Sequence, residues 1–292
     1  MKNIPVPSSS QREYVNAYFE EQSTFWKNIY TSSGVYAQIH QNRHAEALAW
    51  IDSLHLAPGS TVLETGCGAG FMAIELAQRG WRVRAIDSTA AMIEQARQNA
   101  ALSGQALSLE IDDVYALASE DNSFDLVVAL GVLPWLERPE LAIREMARVT
   151  KPGGFIFFTV DNKLRLNALL DPWRNPFLIP LKRAVKLVLE RFGFHRRNAK
   201  NVGATLHSRR YIDSLLLRSG LSKIKSKTLG FGPFTFFKKA VLPESSGTRL
   251  HLRLQRLADA GVFPFRSTGA HYLVLARKST AEVPDYEDEQ LS

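Results

Sequence analysis

Cysteine is nearly missing. The chain has one, Cys67, in 292 residues. No disulfide can close within it, and no zinc centre built from several cysteines can form. That fits a reducing, cytoplasmic setting. Long apolar runs are missing too. The longest, such as Phe155 to Val160, are strand-sized, well short of the ~18 residues that a bilayer-spanning helix needs. The first ten residues are polar, hold two prolines and have no apolar stretch, so they do not read as a secretory signal. Acid is scarce in one region. Of the 29 Asp and Glu residues, only 5 fall in residues 163–278, where 24 Lys and Arg are found.

The rest of the composition is ordinary for a globular protein, with 45% hydrophobic and 22% charged residues. The length suits one large domain or two small ones. The net charge of +7 conceals a division: −7 over residues 1–162, +19 over 163–278 and −5 over 279–292. A division of this kind asks for an anionic partner, whether nucleic acid, lipid headgroup or acidic small molecule. The final stretch, 279–292, reads as a solvated, disordered acidic tail.

Aromatic residues at three- and four-residue spacing predict a helix over 11–30, and a second helix follows from Tyr36 to Leu54. Strands and helices then alternate. Strands are expected at 61–64, 82–87, 107–111, 124–130 and 155–160, with helices at 71–79, 89–102 and 139–149 between them. The turn Lys151-Pro152-Gly153-Gly154 leads into the fifth strand. This rhythm means βαβ units and a parallel sheet covered on both faces. After Asp161 come a basic amphipathic stretch, a helix at 208–218, a strand at 221–229, a helical segment near 249–260 and a last strand at 271–276.

The sharpest motif is Val62-Leu63-Glu64-Thr65-Gly66-Cys67-Gly68-Ala69-Gly70, a strand emptying into a glycine turn before a helix. Glycine there allows positive φ and close approach of a ligand to the backbone. Asp87 closes the second strand, where a carboxylate can accept from both ribose hydroxyls. Asp113 follows the third, where one can accept from an adenine amino group. Each acid alone is matched by a plain surface reading. Together, at the ends of consecutive strands, they point to a nucleoside. The dinucleotide fingerprint requires glycine at position 71, which is Phe71.

These residues resemble class I S-adenosylmethionine-dependent methyltransferases. Glu64 to Gly70 is similar to that family's first motif, and Asp87 to its ribose-binding acid. Asp112-Asp113 with Leu117, Ser123 to Val127 and Arg148 to Gly154 are similar to its later motifs. The likeness is close over about residues 60–161 and loose beyond. It implies an α/β fold: a doubly wound, seven-stranded, mostly parallel Rossmann-like sheet with N-terminal helices and a basic helical insertion before the last two strands. The implied divisions are a helical lid (1–58), a cofactor core (59–162), a substrate-side insertion with the terminal antiparallel strands (163–278) and the tail.

By that resemblance the cofactor is S-adenosylmethionine. The loop of Gly66, Cys67, Gly68 and Gly70 would hold it, with Gly66 and Gly68 passing close to its methionine part. Glu64 would fix the loop and the cofactor amino group, and the Leu130 carbonyl would lie near the same amine. Asp87 would hold the ribose with Ser88 beside it, and Asp113 with Val114 would flank the adenine. Tyr18-Phe19, Phe25-Trp26 and Ile29-Tyr30 resemble the aromatic entry helix of porphyrin and quinone O-methyltransferases. Tyr18, Tyr30 and Tyr36 are therefore lid candidates, since a ring face attracts a sulfonium. Ordinary core packing would place aromatics at the same spacing.

A phenol or alcohol acceptor needs a base. The candidates are His40 and His44, one helical turn apart, and His207; each is matched by a structural reading. A carboxylate acceptor needs none. The stretch Leu130 to Trp135 lacks the Asn/Asp-Pro-Pro-aromatic motif of amino-methylating enzymes, and Cys67 lies in the cofactor loop, where it is no nucleophile. O-methylation is favoured, with C- or N-methylation of a small molecule left open. Pro180 to Phe192 is a basic amphipathic helix with apolar residues at 181, 184, 185, 188 and 192. It suits either a membrane surface or packing on the sheet. Phe231, Phe234, Phe236 and Phe237 around Gly232-Pro233 suggest an apolar substrate cover. The expected partner is a small, apolar or amphiphilic, anionic molecule, with peripheral contact at the inner membrane face. Competing readings are an RNA methyltransferase that uses the basic region, against which stands the lack of any RNA-binding module, and a cofactor-binding module without catalysis.

Overall fold

The computed structural model describes residues 9–191 and 204–280. Part of the basic loop and nearly all of the expected acidic tail lie outside them. Two helices, α1 (Ser9–Glu21) and α2 (Ser23–Asn28), stand where one was expected over 11–30. The break is at Gln22, whose ψ of 11° leaves the helical basin and re-aims the chain. Next comes α3 (Val35–Asp52).

The alternation then runs as β1 (Thr61–Thr65), α4 (Phe71–Ala77), β2 (Arg82–Asp87), α5 (Ala90–Ser103), β3 (Ser108–Ile111), β4 (Phe124–Ala129), α6 (Pro139–Val149) and β5 (Thr150–Asn162). The remaining elements are α7 (Leu166–Leu170), α8 (Ile179–Arg191), β6 (Leu206–His207), α9 (Arg209–Arg218), β7 (Leu221–Leu229), the hairpin β8 (Thr235–Phe236) with β9 (Lys239–Ala240), α10 (Glu244–Asp259), α11 (Phe265–Thr268) and β10 (His271–Lys278).

The main sheet has the order β3-β2-β1-β4-β5-β10-β7. It is parallel from β3 to β5, and β10 runs antiparallel to both β5 and β7. An eighth strand, β6, adds to the seven expected, pairing with the end of β5. Two residues are too few to show an alternating pattern, so it was invisible in the sequence. The expected turn at 151–154 is instead a bulge within β5, where the register against β4 slips between Phe124 and Leu126.

Successive side chains of a strand point to opposite faces, and the core divides accordingly. Val62, Leu126, Val128, Phe157 and Leu273 join Trp50, Leu76 and Ile93 on one face, under α3, α4 and α5. Leu63, Val127, Phe158 and Val274 join Ile143, Met146 and Ile212 on the other, under α6 and α9. With both faces covered, the carboxyl edge of the parallel strands is left to form a crevice where the strand order reverses, between β1 and β4.

Two expectations fail in the C-terminal half. Phe231 and Phe234 are buried with Ala258 against α10, while Phe236 and Phe237 are exposed on the β8–β9 hairpin. The four rings form no common cover, because the chain enters the β8–β9 hairpin after Phe234 and carries Phe236 and Phe237 out to the surface. Among the described residues, α8 does not pack its apolar face on the sheet: Leu181, Val185 and Val188 are 61%, 50% and 55% exposed.

Candidate functional site

The crevice is a cavity of about 470 Å³, within the ~300–1,000 Å³ usual for small-molecule sites. Its floor is the carboxyl edge of β1 to β5. Because β10 runs antiparallel, its first residue arrives at this same edge, and His271 stands in register with Asp161.

At one end the chain leaves β1 through Gly66 and Gly68, with φ of 61° and 53°. A Cβ on Gly66 would meet Val132 Cγ2 at 2.4 Å, so the loop packs to the limit there, whereas a Cβ on Gly68 would meet nothing within 4 Å. The open space beside Gly68 faces the cavity. Asp87 fixes the loop: Oδ2 accepts from the Gly68 N–H at 3.0 Å and Oδ1 from the Thr89 N–H at 3.0 Å. Burial raises the Asp87 pKa, and these backbone bonds only partly offset it. From α5, Asn99 donates to the Ala69 carbonyl at 2.8 Å. Glu64 is fully buried, and its Oε2 has no partner among the described residues. Burial raises its pKa well above the ordinary carboxylate range. Burial likewise raises the Cys67 thiol, as expected of an inert group.

The N-terminal helices close over this end. Arg12 meets Asp113 at 2.9 Å, and Asn16 and Ser88 exchange two hydrogen bonds. Tyr18 stacks on Trp135 with centroids 5.2 Å apart. Tyr36 lies edge-on to His40 at 4.6 Å, and burial pushes its phenol up to about 12. Tyr30 lies against Phe71.

The other end is cationic. Arg43, buried on α3, stands between the two ends: its guanidinium is 3.1 Å from where a Cβ on Gly131 would stand, and it acts on both Tyr30 and Asp161. Arg165 meets Asp161 at 3.3 Å, and Arg174 also lines the cavity. Asp161 accepts from His271 Nδ1 at 3.1 Å. Burial raises the Asp161 pKa, but the His271 bond and the nearby arginines outweigh it, leaving a net lowering. His271 is lowered, since burial outweighs the pull of Asp161.

Of the sequence-stated candidates, Glu64, Gly66, Cys67, Gly68, Asp87, Ser88, Asp113, Val114, Leu130, Tyr18, Tyr30, Tyr36 and His40 come together around this cavity. Gly70, His44 and His207 do not line it. Gly70 starts α4 in the left-handed region, packed on Ala96. His44 turns to Glu75 at 3.1 Å. His207 stacks on Tyr211. His40 lines the cavity, but burial holds its pKa well below 6.5 and both ring nitrogens are sealed without a partner among the described residues. Sequence reasoning missed Arg43, Asp161, Arg165, Arg174 and His271. One signal was available for Arg43, a lone cation among the inward positions of α3.

Comparison with known proteins agrees with this fold. Residues 63–158 match the model of the methyltransferase domain family. A ubiquinone biosynthesis O-methyltransferase of Albidiferax ferrireducens is 31% identical over 165 residues, covering 55% of this chain and 64% of that protein. Its counterpart in Paracidovorax citrulli is 35% identical over 118 residues, covering 40% of this chain and 50% of that protein. The chain thus spans roughly half to two thirds of the length of these curated relatives. Among solved structures, the magnesium protoporphyrin IX methyltransferase of Synechocystis PCC 6803, with bound S-adenosylhomocysteine, superposes with a TM-score of 0.61 at 19% identity, covering 92% of this chain and 100% of that one. The [4+2]-cyclase SpnF superposes with a TM-score of 0.58 at 17% identity, covering 96% and 100%. A fold shared with a cyclase does not by itself fix the chemistry. The family-model match spans residues 63–158, about a third of this chain, and takes in the strands and loops that carry Glu64, Gly66, Gly68, Asp87 and Asp113.

Proposed function

We propose that the chain is an S-adenosylmethionine-dependent methyltransferase acting on an oxygen of a small, anionic, partly apolar acceptor. The observation that carries this reading is one continuous cavity with Glu64 and Asp87 at one end and Arg165 and Arg174 at the other. The residues fit the cofactor. The unpartnered Glu64 oxygen suits an ammonium, and Arg43 beside Gly131 suits a carboxylate. Asp87 has lone pairs left for ribose hydroxyls. Asp113 already accepts from Arg12 and from the Tyr115 N–H, so the adenine contact rests more on the backbone at Val114. The cofactor, when bound, supplies an electrophilic methyl group. The protein orients the two partners and excludes water, with α1 and α2 as the lid of an N-terminal unit over residues 1–58. The curated relatives are named as O-methyltransferases, which supports an oxygen acceptor.

Calorimetry with S-adenosylmethionine tests the cofactor half. Binding by the parent and a loss of at least tenfold in Asp87→Ala are expected, and no binding by the parent would sink the reading. Transfer of labelled methyl to a cell extract, with the product weighed, tests the acceptor. A labelled small molecule is expected. Label in RNA, lost steeply with salt, would favour the RNA reading, and binding without transfer would favour an inactive module.

A second element of this reading concerns α8. Its exposed Leu181, Val185 and Val188, with Lys182 and Arg183 on the same helix, suit a peripheral helix on an anionic bilayer. No helix among the described residues is long and apolar enough to cross a membrane. The proposal is a cytoplasmic enzyme that touches the inner membrane face, where an amphiphilic acceptor would be found.

A further inference from the structure

His271 combines features that no other histidine among the described residues shares. It opens β10 at the carboxyl edge of the parallel strands, in register with Asp161. It lines the cavity, on β10, three strands along the sheet from Glu64 on β1 and four from Asp87 on β2. Its Nδ1 lies 3.1 Å from Asp161 Oδ1. An ionised carboxylate only accepts, so Nδ1 carries the proton and donates it, leaving Nε2 with a free lone pair. Nε2 is not among the sealed, partnerless polar atoms, whereas both nitrogens of His40 are. Asp161 is fixed in turn by Arg165 Nη1 at 3.3 Å.

We propose that His271, oriented by Asp161, is the general base that removes the proton from the acceptor hydroxyl. This rests on the methyltransferase reading above and names the catalytic group within it. The acceptor oxygen bonds to the methyl carbon as the carbon–sulfur bond breaks, its electron pair passing to sulfur. The hydroxyl proton goes to Nε2. The resulting imidazolium is stabilised by Asp161 and later gives its proton to water. Asp161 is a positioning residue, holding the tautomer and the ring. Arg165 and Arg174 sit on the same side and would hold a carboxylate of the acceptor, bringing its hydroxyl to His271.

Other charged or titratable groups bear on the imidazole from several elements. His40, Arg43 and Tyr36 come from α3, Asp161 from β5 and Arg165 from the turn before α7. The two arginines disfavour the imidazolium and Asp161 favours it. With burial, the balance keeps His271 neutral and ready to accept at neutral pH.

The test uses two acceptors of one shape, 3,4-dihydroxybenzoate and its 5-nitro derivative. Both carry the carboxylate, but the nitro compound has a far more acidic phenol that ionises without help. His271→Gln keeps a hydrogen bond to Asp161 but has no basic nitrogen. General-base catalysis contributes ~10²–10⁴-fold. His271→Gln and Asp161→Asn should therefore lose about 10²-fold or more in kcat on 3,4-dihydroxybenzoate and less than ~10-fold on the nitro acceptor. S-adenosylmethionine binding should be unchanged. The parent should also show an acid limb in its pH profile, and His271→Gln should lose it. Equal losses on both acceptors, or no loss on either, would overturn the base. A parent that binds S-adenosylmethionine but methylates neither acceptor overturns the hydroxyl acceptor and the base with it. A parent that does not bind it overturns the underlying reading.

Discussion

Glu64 stands near the end of β1, buried and lining the cavity, with one oxygen unpartnered among the described residues, and burial makes it hold its proton to unusually high pH. An ammonium placed beside it would favour the charged form and lower that pKa. Cofactor binding should then expel a proton, and affinity should rise with pH until the free-protein pKa is passed. Calorimetry at one pH in two buffers of different ionisation enthalpy counts that proton. Glu64→Gln should abolish the release and weaken binding at least tenfold. The sign for stability is opposite. A folded pKa raised above the unfolded one contributes stability at low pH and loses it as pH rises through the folded value. Glu64→Gln should therefore melt higher than the parent at pH 8, and an equal or lower Tm would contradict the assignment. At Gly66, alanine brings both a left-handed φ and a 2.4 Å clash with Val132. It should cost about 1–3 kcal/mol, read as a lower denaturation midpoint, and abolish cofactor binding.

Among the elements, α1 meets the core through specific contacts that include Arg12 to Asp113, Asn16 to Ser88, and Tyr18 and Phe19 on Trp135. A half-exposed ion pair contributes under ~1 kcal/mol. Arg12→Ala with Asn16→Ala should leave Tm nearly unchanged and speed cofactor dissociation several-fold in stopped flow. Unchanged dissociation would mean that α1 is no lid. For α8, Leu181→Ser with Val188→Ser should abolish sedimentation with phosphatidylglycerol vesicles while leaving methyl transfer to soluble acceptors intact. Parent protein that ignores such vesicles would end the membrane proposal.

What the sequence disclosed of the site follows from locality. The Gly66–Gly68 loop, Asp87 and Asp113 each follow a strand directly, so a linear pattern reveals them. Asp161 and His271 meet across 110 residues of chain. Their meeting depends on β10 running antiparallel beside β5, and no local spacing encodes that. The helical halves of 11–30 and the two-residue β6 failed for a related reason, since each is decided by a single backbone angle or a single neighbour.

At the scale of the whole molecule, four of the described histidines face acid together. Burial lowers His40, His207, His251 and His271, His251 to about 4. A base with a depressed folded pKa contributes stability above its unfolded value, and that stability is lost as pH falls through the folded one. For His251 the structural cost is plain, because its Nδ1 accepts from the Phe231 N–H and would have to give up that bond. Stability should decline steadily from about pH 6.5 towards 4, with Glu64 and Asp87 opposing only in part. Melting curves at half-unit pH steps check this, and a Tm that is flat down to pH 4.5 would refute it.

The position of β10 also governs timing. It fills the slot between β5 and β7, and β7 has no other partner in the sheet. The ribosome delivers Asp161 and the whole nucleoside end long before His271, 110 residues later. At ~5–20 residues per second that gap lasts roughly 5–20 seconds. During it, β5 beyond its short pairing with β6 is an open sheet edge of the kind that invites pairing with other chains. One late insertion then seals the edge, recruits β7 and joins the two halves of the proposed base. The nascent chain can thus own a cofactor crevice before it owns a reaction.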